Sequence, residues 1–273
     1  MKAALCQFQI EYEEKEINLH RAGQMIAEAA KAHAEIIFFP EMSFTGFSMQ
    51  VNATGESNGE TLRQMREYAQ AYGIAVGFGW VKKNGEKGEN HYTVLDQNGT
   101  ILADYVKIHP FSFSREDTYF EAGCRTAVFT FSGHTFGLFI CYDLRFPEIF
   151  RAVSAKADVL VVAANWPEKR IGHWNKLLEA RALENQSWVL GINCFGNQQE
   201  LHYNGSSRTV NPEGETVECL IDREGMIFCE IMNESAEFRN SFPALQDRRP
   251  ELYKELLNAT FMMKTKKSSD EKY

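Results

Sequence analysis

Apolar positions in this chain come in short, dense blocks separated by stretches of helical period. KAALCQF (2–8), EIIFF (35–39), IAVGFGWV (74–81), FGLFI (136–140) and DVLVVAA (158–164) each stop at a turn or a polar residue. Runs of that length read as strands buried on both faces. Between them, Leu19, Ala22, Ile26, Ala29 and Ala30 form one helix face, with Asn18 placed to cap it. Leu62, Met65, Ala69 and Tyr72 form a second face over 60–72, and Gly73 ends it. Residues 147–156 and 173–185 make two more helices, the latter with Leu177, Leu178, Arg181 and Ala182 near one side. Strand and helix alternate, which predicts an α/β protein.

HYTVLD and ILADYV are joined by QNGT, a strong hairpin signal, and KKNGEKGEN reads as the turn after 74–81. Further strands fall at 187–194, 206–210, 215–220 and 226–231, with a Pro-Glu-Gly turn at 212–214. From 235 the pattern weakens. LQDRRPELYKELL reads as a helix and FMMKTKKSSDEKY as a mobile tail, so the expected division is a domain over 1–250 and an extension over 251–273. One internal echo stands out: AKAHAEIIFFPE (30–41) parallels SAKADVLVVAANW (154–166). It predicts two similar α-β halves facing one another, with Glu41 and Asn165 at comparable strand ends.

The block 136–140 ends in CYDLRFPE, with Pro147 suited to the first turn of a helix. A cysteine there sits where open α/β folds carry their chemistry, and a helix dipole nearby favours a thiolate. The bland alternative is an inert buried thiol, but the polar YDLR that follows a core strand favours function. Glu41 has a bland reading as a solvated loop residue. Its sharper reading is a desolvated carboxylate at a strand mouth, usable as a base. Lys107 ends the strand ILADYV and leads into the aromatic loop IHPFSFSREDTYFEAG, which has no strand or helix period. Taken singly, Lys107 and Glu116 read as surface charges.

Composition narrows the classes. With 29 Lys and Arg against 37 Asp and Glu the net charge is −8, which disfavours nucleic acid and anionic membranes as partners. Six cysteines without Cys-x-x-Cys spacing, and no leader-like or membrane-length apolar run, lead to the expectation of reduced thiols in a cytoplasmic protein. Scattered histidines indicate no metal, and Gly77 and Gly79 are too few for a dinucleotide loop, so no cofactor is expected.

A base, a cation and a thiol at three strand ends are what acyl transfer from an amide needs. FFPEMSFTG, DYVKIHPF and FICYDLRFPE resemble, in order, the Glu, Lys and Cys motifs of the nitrilase superfamily of carbon–nitrogen hydrolases, over roughly residues 1–250. The resemblance implies a four-layer α-β-β-α sandwich and a homodimer or higher homo-oligomer packed through the outer helices. It implies Glu41 as general base, Lys107 as oxyanion stabiliser, Cys141 as nucleophile, Glu116 as the glutamate that positions the lysine, and the Tyr142 amide as second oxyanion donor. CYDLRFPE resembles the Nit-type branch, and ANWPEKRIGHWNKLLEARALENQ is similar to bacterial omega-amidases, which act on 2-oxo acid ω-amides such as 2-oxoglutaramate. Pro110 departs from the leucine common after that motif's histidine, a change expected to reshape the pocket wall.

A substrate carboxylate needs an arginine. Of Arg145, Arg170 and Arg208, Arg170 is the expected partner, while Arg145 is expected to pair with Asp143 or Glu148. Asn165, Trp166 and Phe44 complete the expected pocket. The alternatives are another amidase of the superfamily, an N-carbamoyl amino acid hydrolase, or a binding protein that kept the fold without the chemistry.

Overall fold

The computed structural model describes residues 1–259. One sheet is built from β1 (Lys2–Gln7), β2 (Ile36–Phe38), β3 (Ala75–Asn84), β4 (Lys87–Leu95), β5 (Ile101–Val106) and the two-residue β6 (Phe120–Glu121). The other takes β7 (Ala127–Phe131), β8 (His134–Ile140), β9 (Val159–Ala164), β10 (Trp188–Asn193), β11 (Phe195–Gln198), β12 (Leu201–Val210) and β13 (Thr216–Ile221). The chain then returns, and β14 (Gly225–Glu230) pairs antiparallel with β1 at the edge of the first sheet. The helices are α1 (Lys15–Lys31), the one-turn α2 (Val51–Thr54), α3 (Glu60–Tyr72), the one-turn α4 (Glu116–Tyr119), α5 (Pro147–Val153), α6 (Ile171–Asn185) and α7 (Glu234–Ser241).

Alternation along the strands sets the layers. Ala3, Leu5, Ile36 and Phe38 meet Leu138, Ile140, Val161 and Ile192 between the two sheets. Their neighbours Ala4, Cys6, Ile37 and Val76 pack under α1 and α3 through Ala22, Ile26, Met65 and Ala69. On the far side Leu160, Val162 and Val189 pack under Phe150, Trp174 and Leu178 of α5 and α6. The result is the four-layer α-β-β-α sandwich. A fully buried Leu, Ile or Val stabilises by roughly 1.5–3 kcal/mol, so a one-residue slip that exchanged the faces of a strand would be costly.

The internal echo is structural. β1, β2 and β3 are parallel neighbours joined through helices, and so are β8, β9 and β10. Glu41 follows the central strand of one unit and Asn165 the central strand of the other.

Several local expectations change. α1 starts at Lys15, so Asn18 lies inside the helix and caps nothing. It is buried, donating to the carbonyls of Glu11 and Phe44 at 2.6 and 2.9 Å, and so joins two loops. The long turn read at KKNGEKGEN shrinks to Gly85–Glu86, because β3 and β4 pair out to Asn84 and Lys87. Backbone pairing overrides the polar composition there. The loop after Lys107 contains α4 and β6. β7 and β11 escape the apolar pattern because they lie at sheet edges, and the first half of β12 escapes it where it pairs with β11. α7 is held by Arg239, which donates to the carbonyl of Ala157 and to Ser187 Oγ, both at 2.7 Å. Residues 250–259 are helical, within the stretch read as a helix, whereas the tail FMMKTKKSSDEKY lies outside the described residues.

His91 points away from the sheet interface, 3% exposed, with its ring 4.9 Å from that of Trp80. Its Nδ1 lies 2.9 Å from Asp104 and its Nε2 3.1 Å from Glu89. Burial alone would push the imidazole pKa down, but the two carboxylates outweigh it and hold it above the ordinary value. The stabilisation from His91 is therefore complete below the unfolded value of about 6.5 and is lost as pH rises through the higher folded value. Asp104 and Glu89 are held below their ordinary values despite burial, so their share persists until the medium is strongly acidic. His91→Gln should accordingly lower Tm most near about pH 6 and progressively less towards about pH 9. Melting curves of both proteins across that range check this, and a gap that widens with pH would refute it.

Candidate active site

Beyond β2 the backbone turns sharply at Pro40, Glu41 and Met42 over the end of β3. Gly79 permits the crossing, since a Cβ there would stand 2.3 Å from the Met42 nitrogen and 2.9 Å from the Glu41 carbonyl carbon. Ser43 locks it: its amide donates to Gly79 O at 3.0 Å and its Oγ accepts from Gly79 N at 2.8 Å. The glycines of IAVGFGWV thus serve close approach, Gly77 against the Phe38 ring and Gly79 against this turn.

Glu41 is fully buried. Its Oε1 accepts from Lys107 Nζ at 2.8 Å and from Asn90 Nδ2 at 2.9 Å, and its Oε2 accepts from the Asn165 amide at 3.0 Å. Asn165 Nδ2 returns a bond to Glu41 O at 2.7 Å, tying the two halves together. Lys107, at the end of β5, also donates to both oxygens of Glu116 at 2.8 and 3.1 Å. Glu116 in turn accepts from the Phe111 amide at 2.6 Å and from Asn90 Nδ2 at 3.1 Å. Burial works against a charged lysine, yet Glu116 and Glu41 outweigh it and hold Lys107 well above the usual lysine range. Burial and the neighbouring Glu41 push Glu116 up, with Lys107 offsetting only part of this.

Cys141 follows β8 in the 3-10 turn Cys141–Arg145, with φ +47, a left-handed backbone that a β-substituted residue rarely adopts. Its Sγ lies 3.9 Å from Asn165 O. Burial first, then the charge of Glu41, push the thiol well up, with Lys107 acting the other way. These influences act against the thiolate that a helix dipole was expected to favour.

Cys141 and Asn165 line a cavity of about 400 Å³. Tyr142, Phe111, Trp166, Tyr203, Phe47, Met49, Phe113 and Leu201 also line it, and Phe47 lies under the Lys107 ammonium at 5.4 Å. Two guanidiniums enter it. Arg170 lies over the Phe111 ring at 5.4 Å, and its carbonyl accepts from Trp166 Nε1 at 2.9 Å. Arg145 lies over Trp166 at 4.7 Å and near His173 Nδ1 at 3.3 Å. Burial and the like charge of Arg170 pull Arg145 below the ordinary arginine range, so the pair favours an anion between them.

The expected pairing of Arg145 with Asp143 or Glu148 is not formed, because Asp143 is turned inward and bonded to Tyr105 and His109. Arg145 follows the cysteine by four residues, one turn further on, and that spacing was the available signal. Arg208 is buried against Glu179 at 3.6 Å and lies outside the cavity lining. Phe44 is also corrected. It is buried between Phe39 and Phe78 at 6.1 and 6.2 Å, and Phe47 takes the place at the cavity. Pro110 is not among the lining residues. Asn90 and Tyr203 carried no sequence signal, being a polar residue inside a presumed turn and an aromatic one in an unrecognised half-strand.

A family model for carbon-nitrogen hydrolases matches residues 2–240. A 2-oxoglutaramate amidase of Bacillus subtilis is 34% identical over 253 residues, covering 90% of this chain and 97% of its own. An omega-amidase of Escherichia coli is 33% identical over 217 residues, covering 78% and 84%. The crystal structure of a CN-hydrolase superfamily protein from Xanthomonas campestris superposes with a TM-score of 0.86 at 26% identity, covering 91% of this chain and 97% of that one. With the family's Glu, Lys and Cys motifs brought together in one buried site, the chain belongs to the carbon-nitrogen hydrolase family.

Proposed function

We propose that the chain is an omega-amidase that hydrolyses the terminal amide of small 2-oxo acids such as 2-oxoglutaramate, releasing ammonia. The observation that carries this reading is a cavity lined by the Cys141 thiol and by two guanidiniums, Arg145 and Arg170, with the buried Glu41–Lys107 pair held behind it through the Asn165 amide. A substrate with an amide at one end and a carboxylate at the other spans them. The relatives named for this activity support the same choice.

Burial and Glu41 disfavour the free thiolate at Cys141, so attack in this scheme uses a base. Glu41 accepts the proton as sulfur bonds to the amide carbon, and the oxyanion so formed faces Lys107 Nζ and the Tyr142 amide. Glu41 returns the proton to the leaving nitrogen, ammonia departs, and a thioester remains. Water then attacks with Glu41 again as base, and collapse of the second tetrahedral adduct frees the acid and restores the thiol. Glu116 touches no reacting atom in this scheme. It keeps Lys107 charged and aimed. Arg145 and Arg170 hold the carboxylate, with Trp166 as their wall.

The finer expectations belong to the same proposal. A single hydrolase domain over 1–250 belongs to this reading, and the family match covers residues 2–240 of it. Six unpaired cysteines suit a reducing cytoplasm. Exposed Leu183 on the outer helix α6 and Phe242 beyond α7 suit a dimer through that layer.

Ammonia release from 2-oxo acid ω-amides, neutral amides, carbamoyl amino acids and nitriles tests the reading directly. The 2-oxo acid ω-amides should exceed their neutral analogues in kcat/KM by ~100-fold, the scale of a lost charge pair. Arg145→Ala and Arg170→Ala should each erase most of that preference, and Arg208→Ala should leave it standing. A wild type that prefers neutral or carbamoyl substrates removes the omega-amidase assignment.

Lys107→Ala should slow acylation by two to three decades, about 3–4 kcal/mol, with little change in binding. Near wild-type turnover would take Lys107 out of the mechanism. Iodoacetamide should label Cys141 with loss of turnover while EDTA has no effect. Activity lost on chelation and regained with zinc would overturn thiol catalysis.

A further inference from the structure

Cys141 and Lys107 come from different sheets, and the proposed chemistry requires the attacking sulfur and the oxyanion-binding ammonium to stand in fixed register. The side chain that joins them is Asp143, fully buried, two residues beyond the nucleophile. Its carboxylate is saturated by four donors. Oδ2 accepts from the Ile140 amide at 3.0 Å and from Tyr105 Oη at 2.7 Å. Oδ1 accepts from the His109 amide at 3.0 Å and from His109 Nδ1 at 2.8 Å.

The placement of these donors is selective. Ile140 immediately precedes Cys141, so the carboxylate brackets the left-handed turn at Cys141 from both sides. Tyr105 and His109 stand two residues before and two residues after Lys107. The chain bends at Ile108 and His109 beyond the end of β5, and Asp143 bonds to it on both flanks of Lys107, at Tyr105 and at His109. The His109 ring is stacked on Phe146 at 3.8 Å and 11°, which aims Nδ1 at the carboxylate. The Tyr105 hydroxyl also accepts from the Ile108 amide at 3.3 Å, which closes the ring of bonds around Lys107.

We propose that Asp143, through Tyr105 and His109, is a positioning residue that sets the register between the Cys141 sulfur and the Lys107 ammonium. It touches no substrate, and the proposal rests on the acyl-transfer reading of the site. Its signature is a loss of kcat that exists only when Lys107 is present to be misplaced.

Asp143→Asn puts an amide N–H among four donors and can fail to fold, so the test uses the two flanking donors, His109→Ala and Tyr105→Phe, with melting curves to establish folding. Each should lower kcat on a 2-oxo acid ω-amide by ~10-fold or more, the scale of a sub-ångström misplacement, with KM within about twofold. Alkylation of Cys141 by iodoacetamide, which needs no oxyanion site, should stay within about twofold. His109→Asn, whose amide nitrogen replaces Nδ1, should recover most of the rate. In a Lys107→Ala background His109→Ala should cost almost nothing further. Equal cost with and without Lys107, unchanged kcat in the single variants, or alkylation falling in step with kcat would overturn the proposal. If Lys107→Ala itself keeps full turnover, the oxyanion role has failed instead, and that outcome is read from the single variant alone.

Discussion

One ammonium between two carboxylates, all three buried, is the constraint on which the rest of this molecule depends. Glu41, Lys107 and Glu116 are at most 1% exposed. Taking such charges from water costs several kcal/mol each, and their mutual attraction offsets this only when every remaining lone pair is filled. The structure fills them from several directions: Asn90 from β4, the Phe111 amide from the aromatic loop, and the Asn165 amide from the other sheet. The two-sheet architecture, with a sealed apolar interface, is what keeps these donors in place. A fold with one solvated sheet face could not hold the group in this state.

Two carboxylates share one ammonium in this group, and they act on their neighbours as well as on each other. Burial pushes the Cys141 thiol up, and the charge of Glu41 adds to it. Away from the triad, Arg145 and Arg170 give the cavity wall the opposite sign. A positive patch on the cavity wall favours substrates that carry an anionic group apart from the bond presented to the sulfur.

What could be read from the chain follows the same physics. Strand ends are visible because an apolar run stops, and so FFPE, DYVK and FICYD located Glu41, Lys107 and Cys141 before any coordinates. The layering was visible through the alternation of buried blocks and amphipathic helices. Pairings across the sheet interface were not. Glu41 and Asn165 are 124 residues apart, and Asp143 lies 38 residues from Tyr105. No local period reports which polar side chains will converge. Asn90 was hidden for a second reason, since KKNGEKGEN has the composition of a turn and is in fact a hairpin held by backbone pairing. The exchange of Phe44 for Phe47 is a matter of which way a tight loop points. Asn18 decides it by fixing the Phe44 carbonyl from inside α1.

The two halves of the chain share an architecture, yet they divide the chemistry. The first half supplies the proposed proton carrier, the ammonium and its second carboxylate; the second supplies the sulfur and both guanidiniums. Neither half alone can satisfy its own buried polar groups: Glu41 needs the Asn165 amide, and Asp143 needs Tyr105 and His109. Each of these bonds joins a residue at a strand end of one sheet to one at a strand end of the other. Assembly of the interface and assembly of the site are therefore the same event. A partly docked sandwich would bury an unpaired carboxylate on either side, at a cost of several kcal/mol. The polar groups that do the chemistry thereby also select the single register in which the two apolar sheets can close.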